Sequence, residues 1–533
     1  MKLWHGTLLI GGRMHESQTR QILFFIVLIS TIINLIISWS PLQFLLMHII
    51  PDDAFYYFKI ANNIIIGKGA SFDGIHPTNG FHPLWMLLLL PIFKLVTNKI
   101  LAIHLVLTLC SLLNIIAILI FYSICKNYLS FSIRISLLLT AWYAFNPFLW
   151  LTIAGNLNGL ETSICLLLVL LFILYYFKLL FNQTNNFSVF GLISGLVLLA
   201  RTDNIILVAL TYLFLLWHFR SESKNIFRLI FAGFICSIIF LCFLVWNYIN
   251  FHQLVQISGY AIAPITKFYW HFNLVGFIFQ YIKNLWNLAM SLGIPGLSKY
   301  SVEFLFFFSI LILLIVFIMI SYLIATNNAK NKASTQLYQL LPLILTVFIE
   351  IFVSTCRIYF PRPWYYAIPV PTLLMSLGVL LNFYFTRKKS VLFFILCIFI
   401  GVMLLISTII LIKPVINDEG IPRYQMAKKL EVLLPKNTNV GSFNAGILGY
   451  FTTKIRIINL DGLVNNSIYP YIKNKDLNNY LIQNKISYLL DDVGTMRSFS
   501  KFYGKNWPKL SITYYLPQSA TDINQLKFYS VSQ

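Results

Sequence analysis

Nine predominantly apolar runs, at 22–40, 100–124, 132–153, 160–181, 226–250, 303–325, 338–357, 364–385 and 391–412, have the length a helix needs to cross a bilayer core, roughly 20 residues. Two shorter runs, 187–200 and 204–219, flank Arg201-Thr202-Asp203 and are also expected to cross. A chain of 533 residues that is 58% hydrophobic and only 11% charged cannot fold as an ordinary soluble globule. The expected fold class is mainly α: a polytopic transmembrane helical bundle over residues 1–413, followed by a more polar segment, 414–533. The first run lacks a small-residue cleavage site before Pro41, so it reads as a permanent span rather than a signal peptide.

The formal net charge of +22 could suggest nucleic acid, but the Lys and Arg residues lie in short clusters between apolar runs and in the tail. They orient the chain; no nucleic-acid partner is expected. The run 83–96 is short and carries Pro91 and Lys94. If it does not span, an inside amino terminus puts Lys126/Arg134, Arg220/Lys224/Arg228, Lys330/Lys332 and Arg387/Lys388/Lys389 all on the cytoplasmic side, as positive residues prefer. That gives about 11 spans plus a re-entrant or interfacial helix. The loops 41–99 and 251–302 and the whole tail then lie outside. The seven cysteines sit within or beside apolar runs with no metal-type spacing, and free thiols are expected.

Polar residues are scarce, so their concentration in the first outer loop carries information. From Pro51-Asp52-Asp53 the loop runs through Gly67-Lys68-Gly69 and Ser71-Phe72-Asp73-Gly74 to His76-Pro77-Thr78-Asn79-Gly80-Phe81-His82. One Asp is explained by capping a helix over 54–66. Two adjacent carboxylates raise the proton affinity of the pair, which suits a base that must accept a hydroxyl proton. His76, Asn79 and His82 are candidates for substrate contact, and the two imidazoles with one Asp make only a weak metal pattern.

Asp53-Ala54-Phe55-Tyr56, at the start of a helix after the first span, resembles the first acidic motif of the GT-C glycosyltransferases, polytopic enzymes that use polyprenyl-phosphate or polyprenyl-diphosphate sugars. The string Asp52 to Trp85 is similar to that of a bacterial subfamily of unknown substrate. The resemblance implies a glycosyltransferase with Asp53, neighboured by Asp52, at the catalytic acid/base position, and the mechanism expected is an inverting transfer with Asp53 as the base. It also implies a polyprenyl-phosphate sugar donor among membrane lipids, an extracytoplasmic acceptor, and residence in a bacterial inner membrane. Glu161, after Asn158-Gly159-Leu160, falls at the second acidic motif. The sequence there is Asn-Gly-Leu-Glu rather than Asp-x-Asp or Asp-x-Glu, so a divalent metal is left open.

Other charges near the ends of spans call for partners. Arg201 and Asp203 lie two residues apart between apolar runs, and Glu350 lies well within a span with Arg357 seven residues on, on the same helical face. Arg357, Arg362, Trp364 and Tyr365 combine phosphate-clamping guanidinium groups with aromatic faces suited to sugar rings or isoprenoid. Gln256-Ile257-Ser258-Gly259-Tyr260 precedes Lys267, and the resemblance puts such a basic outer-loop residue against the donor phosphate. Interfacial anchoring by aromatic and snorkelling basic side chains is the competing reading of both segments.

Past Lys413, residues 414–533 alternate helix-like and strand-like patterns: Arg423–Leu434 amphipathic, Asn439–Phe443 extended, Ala445–Phe451 helical, Ile455–Leu460 and Ile486–Leu490 extended. A small extracytoplasmic α/β domain is expected, with Asp461 in a turn after the second strand. Two non-enzymatic alternatives remain. One is a transporter or flippase of lipid-linked saccharides, which calls for repeat symmetry and midplane charges. The other is a scaffold that presents the tail to an envelope partner.

Overall fold

The computed structural model describes residues 16–153, 155–269, 274–293, 332–357, 363–385, 390–412, 420–515 and 526–531. Among these, seven helices are long and apolar enough to cross a membrane: Glu16–Ser38, Lys99–Tyr128, Thr162–Leu180, Ser223–Phe251, Ala333–Cys356, Trp364–Phe385 and Val391–Ile412. The chain is a multi-pass membrane protein. Phe187–Ala200 and Thr202–His218 are shorter apolar helices, and the expected span 303–325 lies outside the described residues. Pro83–Leu95 has 13 residues. At 1.5 Å per residue that is about 20 Å, short of a ~30 Å hydrocarbon core.

One expected span is corrected. The run 132–153 is not a continuous helix: it is helical over Ile133–Ala144, breaks, and turns again over Pro147–Trp150. Pro147 disfavours helical geometry in Asn146, which is extended (φ −68°, ψ 109°) and caps the new turn through its side chain. Among the described residues, much of the chain from there to Glu161 is irregular yet buried, and several of its polar groups find partners within the protein. Asn156 N donates to Leu149 O at 2.7 Å, Leu160 N donates to Asn158 Oδ1 at 2.9 Å, and Asn146 Nδ2 donates to Ser291 O at 2.7 Å. Such backbone is tolerated at membrane depth only inside protein.

The tail forms a five-stranded sheet in the order β2-β1-β3-β5-β4, with β1 Asn439–Ser442, β2 Arg456–Asn459, β3 Ile486–Asp492, β4 Leu510–Tyr515 and β5 Leu526–Val531. The first three strands are parallel and β5 pairs antiparallel with both β3 and β4. Helices Gly420–Leu433 and Gly446–Phe451 occupy the two stretches expected to be helical. Asp461 Oδ1 accepts from Leu463 N at 2.8 Å, the expected turn.

The carboxyl edge of the parallel strands abuts the first loop. Helix Asp52–Ile65, the first-loop helix, packs Phe55 and Phe58 against Tyr450, with ring centroids 5.5 and 5.8 Å apart. Lys99 Nζ donates to Tyr450 O at 2.6 Å, and Tyr450 Oη returns a bond to Lys99 O at 2.8 Å. At Gly80 the two parts approach closely, since a methyl group there would lie 2.0 Å from Leu463 O. Gly80→Ala therefore forces backbone apart and is expected to cost about 1–3 kcal/mol, as overpacking does. A lower Tm in detergent checks this.

Candidate active site

The first-loop helix presents two faces to two different partners. Residues four apart on a helix share a face, so Asp52 pairs with Tyr56 and Asp53 with Tyr57. Asp53, Tyr56 and Tyr57 line a cavity of about 1000 Å³. Its wall also contains His82, Glu161, Arg201, Asp203, Gln256, Ser258, Glu350, Trp364 and Tyr365. Ile205, Ile206, Phe240, Leu244, Ile262 and Leu288 make another part of the lining apolar.

A buried charge cluster holds the polar wall. Glu161 and Arg201 are each 3% exposed. Arg201 Nη1 donates to Glu161 Oε1 at 2.8 Å, while Nε and Nη2 donate to the two Asp203 oxygens at 3.1 and 2.8 Å. The guanidinium carbon lies 4.3 Å from the Tyr365 ring centroid. Tyr57 Oη donates to Glu161 Oε2 at 3.0 Å and accepts from His82 N at 3.3 Å. His82 Nε2 is 3.6 Å from Glu161 Oε1 and its Nδ1 is 3.1 Å from Gln256 Nε2. Burial pushes the Tyr57 hydroxyl well above its usual pKa, reinforced by the Glu161 charge, so it stays a donor. Burial lowers the His82 pKa and Arg201 adds to this, while Glu161 opposes it, so the ring is held neutral.

The sequence candidates separate into groups. Asp53, His82, Glu161, Arg201, Asp203, Glu350, Trp364 and Tyr365 come together around the one cavity. Asp52 does not join them. Its Oδ2 and Oδ1 accept from Gly446 N and Ile447 N, each at 2.8 Å, so of the two adjacent carboxylates expected to raise each other's proton affinity only Asp53 lines the cavity. Asn79, 1% exposed, is spent on protein contacts: Nδ2 donates to Asn247 Oδ1 at 2.8 Å, and Oδ1 accepts from Ile257 N at 3.1 Å and Asn466 Nδ2 at 2.9 Å. His76 is likewise outside the cavity lining, with Nδ1 2.5 Å from Asp73 Oδ2. Lys267 and Arg357 lie on described helices, Ile257–Tyr269 and Lys332–Arg357, but their side chains, and all of Arg362, lie outside the described residues.

Tyr57, Tyr56 and Gln256 were not among the sequence candidates. Tyr57 had a usable signal, one turn after Asp53 on the same face. Gln256 had none, since its partner His82 is 174 positions away. Among the described residues no three His, Cys, Asp or Glu side chains converge to hold a metal ion. Both Glu161 oxygens are already engaged, by Arg201 and Tyr57. The second acidic position is thus built as half of an ion pair and does not fit a metal-ligand set.

The fold is that of the GT-C membrane glycosyltransferases. An oligosaccharyltransferase of Archaeoglobus fulgidus superposes with a TM-score of 0.55 at 12% identity, over 96% of this chain and 76% of that one. ArnT of Cupriavidus metallidurans bound to undecaprenyl phosphate superposes with a TM-score of 0.52 at 11% identity, over 97% of this chain and 98% of that one. The archaeal enzyme AglB of A. fulgidus, in complex with an inhibitory peptide and a dolichol-phosphate, gives 0.52 at 12% identity, over 96% and 74%. Residues 416–529 match a domain of unknown function, DUF8728. No curated protein matches the sequence.

Two outcomes follow. Arg201→Met leaves Glu161 and Asp203 without their counter-charge and is expected to destabilise by about 3–5 kcal/mol, the cost of breaking a buried pair; a denaturation midpoint well below that of the parent checks it. The Asp73 hydrogen bond, the largest influence, raises the His76 pKa in the folded loop. Its stabilisation is full below the unfolded value of about 6.5 and is lost as pH rises through the higher folded value. Hydrogen exchange across residues 71–77 is expected to speed up over that interval beyond the intrinsic rate change, and not to do so in His76→Phe.

Proposed function

We propose that this protein transfers a sugar from a polyprenyl-phosphate donor to an acceptor hydroxyl, with inversion, and that Asp53 is the base. The observation that carries the reading is Asp53 on the wall of a cavity that is polar around Glu161, Arg201 and His82 and apolar around Phe240, Leu244 and Ile262. A lipid-linked sugar needs both kinds of surface at once. Solved proteins of the same fold carry undecaprenyl phosphate and dolichol-phosphate, which supports the donor class.

In the proposed step the acceptor oxygen attacks the anomeric carbon from the face opposite the phosphate, and its proton passes to the Asp53 carboxylate. The bond between the anomeric carbon and the phosphate oxygen breaks, and polyprenyl phosphate leaves with the electron pair. Charge develops on that phosphate, so cations placed there gain the most rate. Arg201 already serves two carboxylates. The proposed phosphate contacts are therefore Lys267, Arg357 and Arg362, with Trp364 and Tyr365 against sugar or isoprenoid. Glu161, Asp203 and Glu350 are proposed to line the substrate space, with His82 a neutral hydrogen-bonding group. The cavity, the first loop and residues 414–533 are proposed to lie outside a bacterial inner membrane, the latter forming a separate α/β domain on a catalytic unit of residues 1–413.

The test compares envelope glycans of a cell lacking this chain with those of its parent, then restores the wild type or Asp53→Asn. The wild type is expected to restore the missing glycan, and Asp53→Asn to insert normally but leave it missing. Full restoration by Asp53→Asn would remove Asp53 from the role.

A further inference from the structure

Asp53 has a neighbour with an unusual assignment. Asp52 directs both oxygens away from the cavity, onto the backbone amides of Gly446 and Ile447 at 2.8 Å each. These amides belong to the C-terminal part of the chain, 394 and 395 residues away. The approach is close enough that a methyl group on Gly446 would fall 2.1 Å from the Asp52 carbonyl oxygen. One turn along, Tyr56 Oη accepts from Ala445 N at 3.1 Å and Asn459 Nδ2 at 3.2 Å.

The strand end just before these amides, Ser442 to Asn444, is fixed from behind. Asp491, 1% exposed at the end of β3, accepts from Phe443 N at 2.8 Å, Asn444 N at 3.0 Å and Ser442 Oγ at 3.2 Å. Arg423, 2% exposed, donates to Asp491 and Asp492 at 3.3 Å. Hydrogen bonds thus anchor Ser442 to Asn444 to the interior of the sheet, and the next three residues, Ala445 to Ile447, bond Tyr56 and Asp52 on the first-loop helix.

We propose that Asp52 is a positioning residue: through it the C-terminal sheet fixes the first turn of that helix, and so the place at which Asp53 enters the cavity. The proposal rests on the reading of Asp53 as the base. Docking of the two parts does not depend on Asp52 alone, because Lys99 with Tyr450, Asn79 with Asn466, and Gly80 against Leu463 hold them together elsewhere. What Asp52 adds is local, at the turn that carries Asp53. A displacement of about 1 Å in a reacting group can cost around 100-fold in rate. The C-terminal segment is on this view a working part of the transferase, and removing it would not leave basal turnover.

The test uses the full-length protein, with two readouts. One is the rate at which the missing glycan reappears when each variant is induced in cells lacking the chain, normalised to protein in the membrane. The other is binding of undecaprenyl phosphate to the purified variant. Asp52→Ala is expected to slow glycan formation about 100-fold with binding unchanged. Asp52→Asn, which keeps one oxygen acceptor, falls between it and the parent, and Lys99→Met, which loosens docking away from that turn, keeps the parent rate. The proposal is overturned if Asp52→Ala works at the parent rate while Asp53→Asn is inactive. It is equally overturned if Asp52→Ala loses binding together with rate, or if Lys99→Met slows as much, since Asp52 would then be merely structural. Parent-rate glycan formation by Asp53→Asn would instead defeat the reading of the base, and this proposal with it.

Discussion

Everything around the cavity leans on one buried guanidinium. Removing Arg201 from water is tolerable only because two carboxylates meet it, Glu161 on one nitrogen and Asp203 on two. Those partners come from separate stretches of chain, and Glu161 recruits Tyr57 in turn. Tyr57 sits on the first-loop helix, so the ion pair in the bundle and the polar loop outside it become one rigid unit. Because the pair and its hydrogen bonds demand close geometry, a wall that could have been soft is held to fixed distances.

The first-loop helix joins this unit to the C-terminal sheet. Its Asp53 and Tyr57 side faces the cavity, its Asp52 meets the ends of the parallel strands, and Tyr56 touches both. Ligands of open α/β sheets commonly sit at that carboxyl edge. Here the edge is met by another part of the same chain, and among the described residues of the segment Leu463 and Val464, from the turn beyond β2, reach the cavity lining.

The bundle was legible because a bilayer leaves few choices. Long apolar runs became long helices, and alternating patterns after Lys413 became β1, β2 and β3 within a residue or two. The break at Asn146 was also written in the sequence, in the proline that follows, but the apolar character of 132–153 masked it. Of the candidate site, residues whose role depends on burial beside a membrane, such as Glu161 and Arg201, stood out as charges in apolar context. Asp52, Asn79 and His76 misled for a shared reason. Each is polar and outside the cavity lining, and what claims it is long-range or local hydrogen bonding that no spacing rule reveals. Asn79 alone engages Asn247, Ile257 and Asn466, all more than 160 positions away.

The irregular stretch that begins at Asn146 bears on biosynthesis. Its side-chain amide bonds Ser291 O, and Trp142 Nε1 bonds Leu292 O, 145 and 150 positions later in the chain. A ribosome threading this polypeptide into a bilayer delivers Trp142 and Asn146 long before their acceptors exist. At that moment the segment has polar groups that lipid cannot satisfy. It must wait at the insertion machinery, or against helices already delivered, until the stretch around Ser291 emerges, which makes closure of this corner a late event in the birth of the protein.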